Sequence, residues 1–325
     1  MKEIDRYGYI LEALSETIDE ADYFNEILSS KTKVKARKRP FEIQRLDPKE
    51  YLENPYYRMV HPTGAKEGAI SLEYDAYEAN QGFVYDEIVI DNLYREKTPF
   101  GFFEQRFPFL AIKEGDTTWM SVTPHEINTM KKPIEEAHGD VVTLGLGLGY
   151  FAFMASMKND VTSLTVVESN ETVIKIFEEK ILPFFPHKEK IRIISDDAFH
   201  FLEGDFKADY LFADLWHMPE DGLPLYAKTI SFEEKHPKTR FSYWIEDSML
   251  ALIRRAVLVL IDEEMLESVD ENYLHEETFS DHLINQIHFI LKEKEIHGLP
   301  ELEKIVNKQS LKAIASKLTF VNKMA

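Results

Sequence analysis

Three glycines and four acids in this chain are spaced as a ligand site would need them. Gly145, Gly147 and Gly149 stand at alternate positions directly after the apolar run Val141–Leu144. Glu168 closes a second apolar run 23 residues after Gly145, Asp196 and Asp197 follow a third, and Asp214 ends a fourth. Glycine lets the backbone turn tightly and approach a ligand with no Cβ in the way. A carboxylate closing the second strand of such a unit can accept from both hydroxyls of a ribose. Strand, glycine turn, helix, strand and acid together predict a βαβ unit that binds a nucleoside-containing cofactor. Each acid alone could be a helix cap or a loop residue. Their coincidence at four strand ends carries the reading, because ligands of open α/β sheets bind beyond the carboxyl ends of the strands.

The elements that must hold these residues follow from periodicity. Residues 4–30 predict a helix with Ile10, Leu11, Leu14 and Ile18 on one face. A basic run, Lys31 to Arg39, is read as a solvated linker. It leads through Pro40, Pro48 and Pro55 into a Tyr-rich, irregular stretch to about Gly82, expected to help shape the site of the reacting partner. A strand is expected over Phe83–Ile90, and a β-hairpin over Phe107–Lys113 and Thr117–Val122 around Glu114-Gly115-Asp116. Pro124 to Glu136 predicts one helix.

In the core the expected order is strand Val141–Leu144, helix Tyr150–Met157, strand Ser163–Glu168, then a helix capped by Ser169-Asn170 and stopped after Ile181 by Pro183 and Pro186. Strand Ile191–Ile194, a short helix Ala198–Leu202 and strand Tyr210–Ala213 follow. A helix near Gly222–Phe232, strand Phe241–Ile245 and a long helix from about Ser248 to Leu266 complete it. A polar helical tail is expected over 270–325, with one short apolar run at Leu318–Val321. Alternating strands and helices predict an α/β fold with a mainly parallel, doubly wound sheet. The units are 1–82 (N-terminal helix and irregular region), 83–125 (strands and hairpin, completing an α+β region), 126–268 (cofactor domain) and 269–325 (helical extension).

Composition bounds the function classes. The formal charge of −20 argues against broad nucleic-acid binding through bulk electrostatics. With no cysteine there is no disulfide, thiolate nucleophile or thiolate zinc site, and no metal is expected. The nearest approach to a membrane span, Met249 to Ile261, is interrupted by Arg254 and Arg255. The first residues are charged and lack a signal-peptide core, so a cytoplasmic protein without a membrane partner is expected. A homodimer is left open.

The dinucleotide fingerprint G-x-G-x-x-G would need a third glycine where Tyr150 stands. G-x-G-x-G with acids closing the second and fourth strands instead resembles the class I S-adenosylmethionine-dependent methyltransferases, and within them most the spermidine synthase-like branch. The likeness covers about residues 105–216. TVVESNETVIKIFEEKILP resembles the branch's second strand and following helix, IISDDAFHFL its I-x-G-D-A-x-x-F-L, and DYLFADLW its Y-D-x-I-x-x-D. Pro124-His125-Glu126 stands near the spacing of its Tyr-His-Glu element, ending 19 residues before Gly145.

The resemblance implies a Rossmann-like methyltransferase fold and S-adenosylmethionine as cofactor. It further implies that Gly145, Gly147 and Gly149 back the amino-acid end of the cofactor and that Glu168 holds the ribose. Asp197, beside Asp196, would meet the adenine amino group, with Ala198 at the ring. Asp214 would lie beside the sulfonium and orient or deprotonate the nucleophile of a small-molecule acceptor, with His125 on the acceptor side. Departures from the branch point away from aminopropyl transfer. Leu148 replaces an acid of the glycine loop, Pro124 replaces the tyrosine, and no second acid follows Asp214 in Leu-Trp-His-Met-Pro. Thr143 also stands where many methyltransferases carry an acid. An aminopropyltransferase using decarboxylated S-adenosylmethionine, and a non-catalytic scaffold, are the alternatives. Trp216, Tyr226 and Trp244 are candidates to pack on a cationic centre.

Overall fold

The computed structural model describes residues 19–29, 42–262, 278–292, 294 and 299–320. Of the helix expected over 4–30, residues 19–29 are described and helical; the basic run Lys31–Arg39 lies outside the described residues.

The protein is mixed α/β, built around a five-stranded sheet in which every neighbouring pair is parallel. In chain order the strands are β1 Gly139–Leu144, β2 Val161–Glu168, β3 Ile191–Ser195, β4 Tyr210–Ala213 and β5 Arg240–Tyr243. In space they run 3-2-1-4-5. Val141 to Leu144 of β1 and every residue of β4 are buried, as continuous apolar runs require of strands covered on both faces. Parallel neighbours need crossover connections. Helices Tyr150–Ser156, Glu171–Ile176, Ala198–Glu203 and Pro219–Ile230 supply them.

The strand order reverses between β1 and β4, which opens a crevice at their carboxyl ends. The hydrogen-bond ladder continues one residue past the strands. Gly145 N donates to Val167 O at 2.8 Å, Asp214 N to Leu144 O at 2.9 Å, and Asp196 N to Glu168 O at 3.1 Å. Gly145, Glu168, Asp196 and Asp214 therefore stand in one row along the same edge, as the sequence predicts.

Elsewhere the structure corrects the sequence. The stretch before Gly82 is ordered, with helices Pro48–Leu52 and Pro55–Met59 and strands Glu42–Arg45, Ala65–Glu67 and Ile70–Tyr77. Each short helix opens on a capped proline: the Asp47 side chain accepts from Lys49 N and the Asn54 side chain from Tyr56 N. Such helices are too short to show apolar periodicity. Ile70–Tyr77 pairs antiparallel with Phe107–Glu114, which makes the expected hairpin with Thr117–Ser121 around Gly115 at φ +60°.

The strand expected over Phe83–Ile90 is two short strands in different sheets, Gly82–Val84 and Val89–Ile90. The helix expected over Pro124–Glu136 breaks at Met130 into Pro124–Thr129 and Lys131–Glu136. Pro133 has no N–H for the Thr129 carbonyl, and its ring crowds that oxygen. After Ile176 the crossover helix widens into a π turn, Phe177–Ile181, before the expected prolines end it.

The long helix is described over Glu246–Asp262. The tail is helical where described, at Phe279–Leu291, Leu299–Val306 and Lys308–Ala315. It is not polar all round, because Leu283, Ile287, Leu302, Val306 and Leu311 join the main core. No helix among the described residues is long and apolar enough to cross a membrane.

Candidate functional site

A cavity of about 480 Å³ lies over the carboxyl ends of β1, β2 and β4. Its floor is the glycine turn, Gly145 to Leu148, with Tyr150, Phe151 and Ala152 at the start of the following helix. Glu168 and Ser169 close one side and Asp214 to Met218 the other. The hairpin brings Thr118 to Val122 over the top, and Glu126, Met130 and Trp244 complete the wall. The volume falls within the range of small-molecule sites.

The three glycines have φ of +93°, +53° and +72°, in the region L side chains avoid. Their surroundings give each a different reason to be glycine. A Cβ on Gly145 would stand 2.0 Å from the Asp214 carbonyl oxygen, so this glycine lets the backbones leaving β1 and β4 pass close to each other at the crevice. A Cβ on Gly149 would stand 2.3 Å from the Phe177 ring, so this one seats the crossover helix. A Cβ on Gly147 would meet nothing closer than the Met120 sulfur at 3.5 Å, so this one faces the cavity.

The turn is braced from behind. Tyr56 donates its hydroxyl to the Leu148 carbonyl at 2.7 Å, and Asn54 Nδ2 donates to the Tyr150 hydroxyl at 2.8 Å. Tyr57 donates to the Val122 carbonyl at 2.5 Å, tying the hairpin to the same segment. Asn54, Tyr56 and Tyr57, from the first 82 residues, thus help to shape this cavity from behind. Among the described residues the cavity wall begins at Thr118, and the earlier segment supports it.

Glu168 is the most strongly fixed acid. Its Oε2 accepts from Leu146 N at 3.2 Å and its Oε1 from Asn170 N at 2.8 Å. The carboxylate thus links the glycine turn to the next helix while its edge lines the cavity. Asp214 and Glu126 line the same cavity and are partly accessible. Burial, and then the charge of Glu168, holds the Asp214 carboxyl above the ordinary carboxylate range. Burial, and then Asp214, does the same to Glu126. Among the described residues no lysine or arginine lines the cavity, so the fixed charge of its wall is negative.

The remaining sequence candidates lie beside this cavity rather than in its wall. Asp197 caps helix Ala198–Glu203, its Oδ1 accepting from Phe199 N and His200 N at 2.9 Å. Asp196 pairs with His200 Nδ1 at 2.8 Å. Asp196, Asp197 and Ala198 therefore sit at the end of β3, next to Glu168 and outside the enclosed volume. His125 packs edge-on against Trp244, with ring centres 6.0 Å apart. Burial pushes its imidazole down to about 4, so it is neutral near pH 7.

Trp216 and Trp244 line the cavity, whereas Tyr226 is fully buried and donates to Glu246 at 2.7 Å. Glu126, Trp119 and His217 join the site although their spacing did not single them out; the Trp119 and His217 rings stack at 6.1 Å. The one signal in the sequence for Glu126 was its place in Pro124-His125-Glu126, at the first turn of a helix entering the core. No family model matches this chain, and no curated protein matches it in sequence.

Proposed function

We propose that this protein is an S-adenosylmethionine-dependent methyltransferase with a Rossmann-like methyltransferase fold of the spermidine synthase-like branch, acting on a small-molecule acceptor. One observation supports the reading: a glycine turn, a carboxylate closing the second strand and a strand-end aspartate meet around one cavity that, among the described residues, holds three acids and no lysine or arginine. The residues present fit the cofactor. Gly147 leaves room for close approach, and Glu168 is held rigidly at the distance of the second strand end. Asp197 and Ala198, at the end of β3, stand where the adenine would extend beyond Glu168.

When bound, the cofactor supplies an activated methyl group on a sulfonium, so the protein's task is alignment and exclusion of water. Glu168 fixes the ribose. Asp214 orients the acceptor's nucleophile and takes up its proton at a carboxylate oxygen, for which a raised proton affinity suits it. Trp216, Trp244 and the hairpin residue Trp119 exclude water from the reacting atoms.

One observation favours aminopropyl transfer as a second reading. Among the described residues no lysine or arginine in the wall is available to the methionine carboxylate, which decarboxylated S-adenosylmethionine lacks. Calorimetric titration with both compounds separates the two. Tighter binding of S-adenosylmethionine supports methyl transfer, tighter binding of the decarboxylated form supports aminopropyl transfer, and no binding of either overturns both. Gly147→Val should abolish binding while the thermal melt stays cooperative, because the new side chain enters the cavity. Unchanged affinity in that variant would remove the glycine turn from the site.

A further inference from the structure

Glu126 and Asp214 come from different parts of the fold, one from the helix after the hairpin and one from the end of β4, yet they line one cavity. Glu168, the third acid there, is engaged by two backbone N–H groups. Neither the Glu126 nor the Asp214 carboxylate has a hydrogen-bonding or ion-pairing partner among the described residues. The other titratable groups around them are Tyr77 on the antiparallel sheet, Tyr150 on the crossover helix, Glu168, His217 and the neutral His125. None supplies a fixed positive charge. Two coupled carboxylates in such a place cannot both ionise cheaply.

We propose that Glu126 is the second half of a cation subsite: with Asp214 it carries one proton in the free protein, and the pair gives that proton to solvent when a ligand's positive charge enters the cavity. The proposal rests on the reading above for the identity of the cation, a sulfonium or an ammonium. It assigns Glu126 as a positioning residue that sets the charge of Asp214, not as a base itself. The exchange balances. One positive charge enters, one proton leaves to the buffer, and the pair passes from singly to doubly ionised. It also keeps the free cavity from holding two bare negative charges, which burial penalises.

The test is the proton count of binding. S-adenosylmethionine is titrated by calorimetry at pH 7 into the full chain in two buffers of different ionisation enthalpy. The wild type should release about one proton per site, the linkage expected when a cation ionises a coupled pair. S-adenosylhomocysteine, which lacks the sulfonium, should release less. In Glu126→Gln the release should fall to about half or below, because only the proton that burial and Glu168 hold on Asp214 is left to lose. Equal release from variant and wild type, or none from the wild type, overturns the proposal.

If neither compound binds, the functional reading fails and this one is still decided on the free protein. Infrared titration in a Glu87→Gln background should show protonated carboxyl absorption near neutral pH that Glu126→Gln reduces and whose midpoint Asp214→Asn lowers. A band unchanged in both variants overturns the shared proton without reference to any ligand.

Discussion

Two regions of this protein bury carboxylates, and they treat them in opposite ways. In one, Glu96 is fully buried and meets two arginines of the long helix. Arg254 Nη1 reaches its Oε1 at 2.5 Å and Arg255 Nη2 its Oε2 at 3.1 Å. Arg254 also donates to the Tyr94 carbonyl, and Arg255 pairs with Glu20 at 2.7 Å. Asn25 completes the arrangement through both backbone groups of Glu96. In the other, Glu126 and Asp214 line a cavity with no hydrogen-bonding or ion-pairing partner among the described residues. The same residue type is structural where cations and amides use up its acceptor capacity, and is available to a ligand where they do not. The cluster around Glu96 joins the helix at 19–29, the strand Glu96–Lys97 and the helix Glu246–Asp262; the cavity pair joins nothing.

The largest expected effect would break the comparison if it failed. Glu96→Ala leaves two arginines facing each other in the core. Removing one partner of a buried ion pair costs about 3–5 kcal/mol. Urea unfolding of Glu96→Ala should show a loss of that size, whereas Glu126→Gln should leave stability unchanged or raise it, since it removes a partly buried acid with no partner among the described residues. A larger loss at Glu126 than at Glu96 would reverse the assignment of structural and ligand-facing acids.

Glu168 stands between the two cases, fixed by backbone donors yet edged onto the cavity. Glu168→Gln keeps one acceptor oxygen and loses the charge. Hydrogen bonds to charged groups contribute about 1.5–3 kcal/mol, so S-adenosylmethionine affinity should fall about 10- to 100-fold. Adenosine should lose a similar factor, since the ribose is common to both. A loss confined to S-adenosylmethionine would place Glu168 at the methionine end and not at the ribose.

The contrast also explains what the sequence could reveal. The parallel strands were legible because buried strands read as apolar runs, as in Tyr210–Ala213, and because the first four end at or just before a glycine or acid. Gly145, Glu168 and Asp214 were legible for the same reason: strand ends fix where they must lie. Glu126 was not legible as a site residue. Its approach to Asp214 depends on how the antiparallel region packs on the parallel sheet, and no local period encodes that. The partners of Glu96 were hidden likewise, since Arg254 is 158 residues away. Arg254 and Arg255 were noticed only as interruptions of an apolar helix, where the interruption is the docking point. The amphipathic tail read as polar because its apolar stripe, Leu302, Val306 and Leu311, is thin and spread across two short helices.

Glu87 gives the comparison a middle point, with an effect that pH turns on and off. It is largely buried and lacks a cation in direct contact, but it accepts from Ser248 N at 2.9 Å, in the first turn of the long helix. Burial, and then the nearby Asp247, pushes its carboxyl up to about 7, against the opposing pull of that backbone donor and of Lys308. The folded state therefore favours the protonated form. The sign follows from linkage: the benefit is complete below the ordinary glutamate range near 4.5 and is lost as pH rises through about 7. Glu87→Gln mimics the protonated form at every pH and keeps the acceptor for Ser248. It should nearly match the wild type in urea unfolding near pH 4.5 and exceed it by about 3 kcal/mol at pH 8, with the change concentrated between those values. A stability difference that does not vary with pH would mean that Glu87 stays ionised in the fold. The helix terminus would then satisfy a buried carboxylate as fully as the two arginines satisfy Glu96.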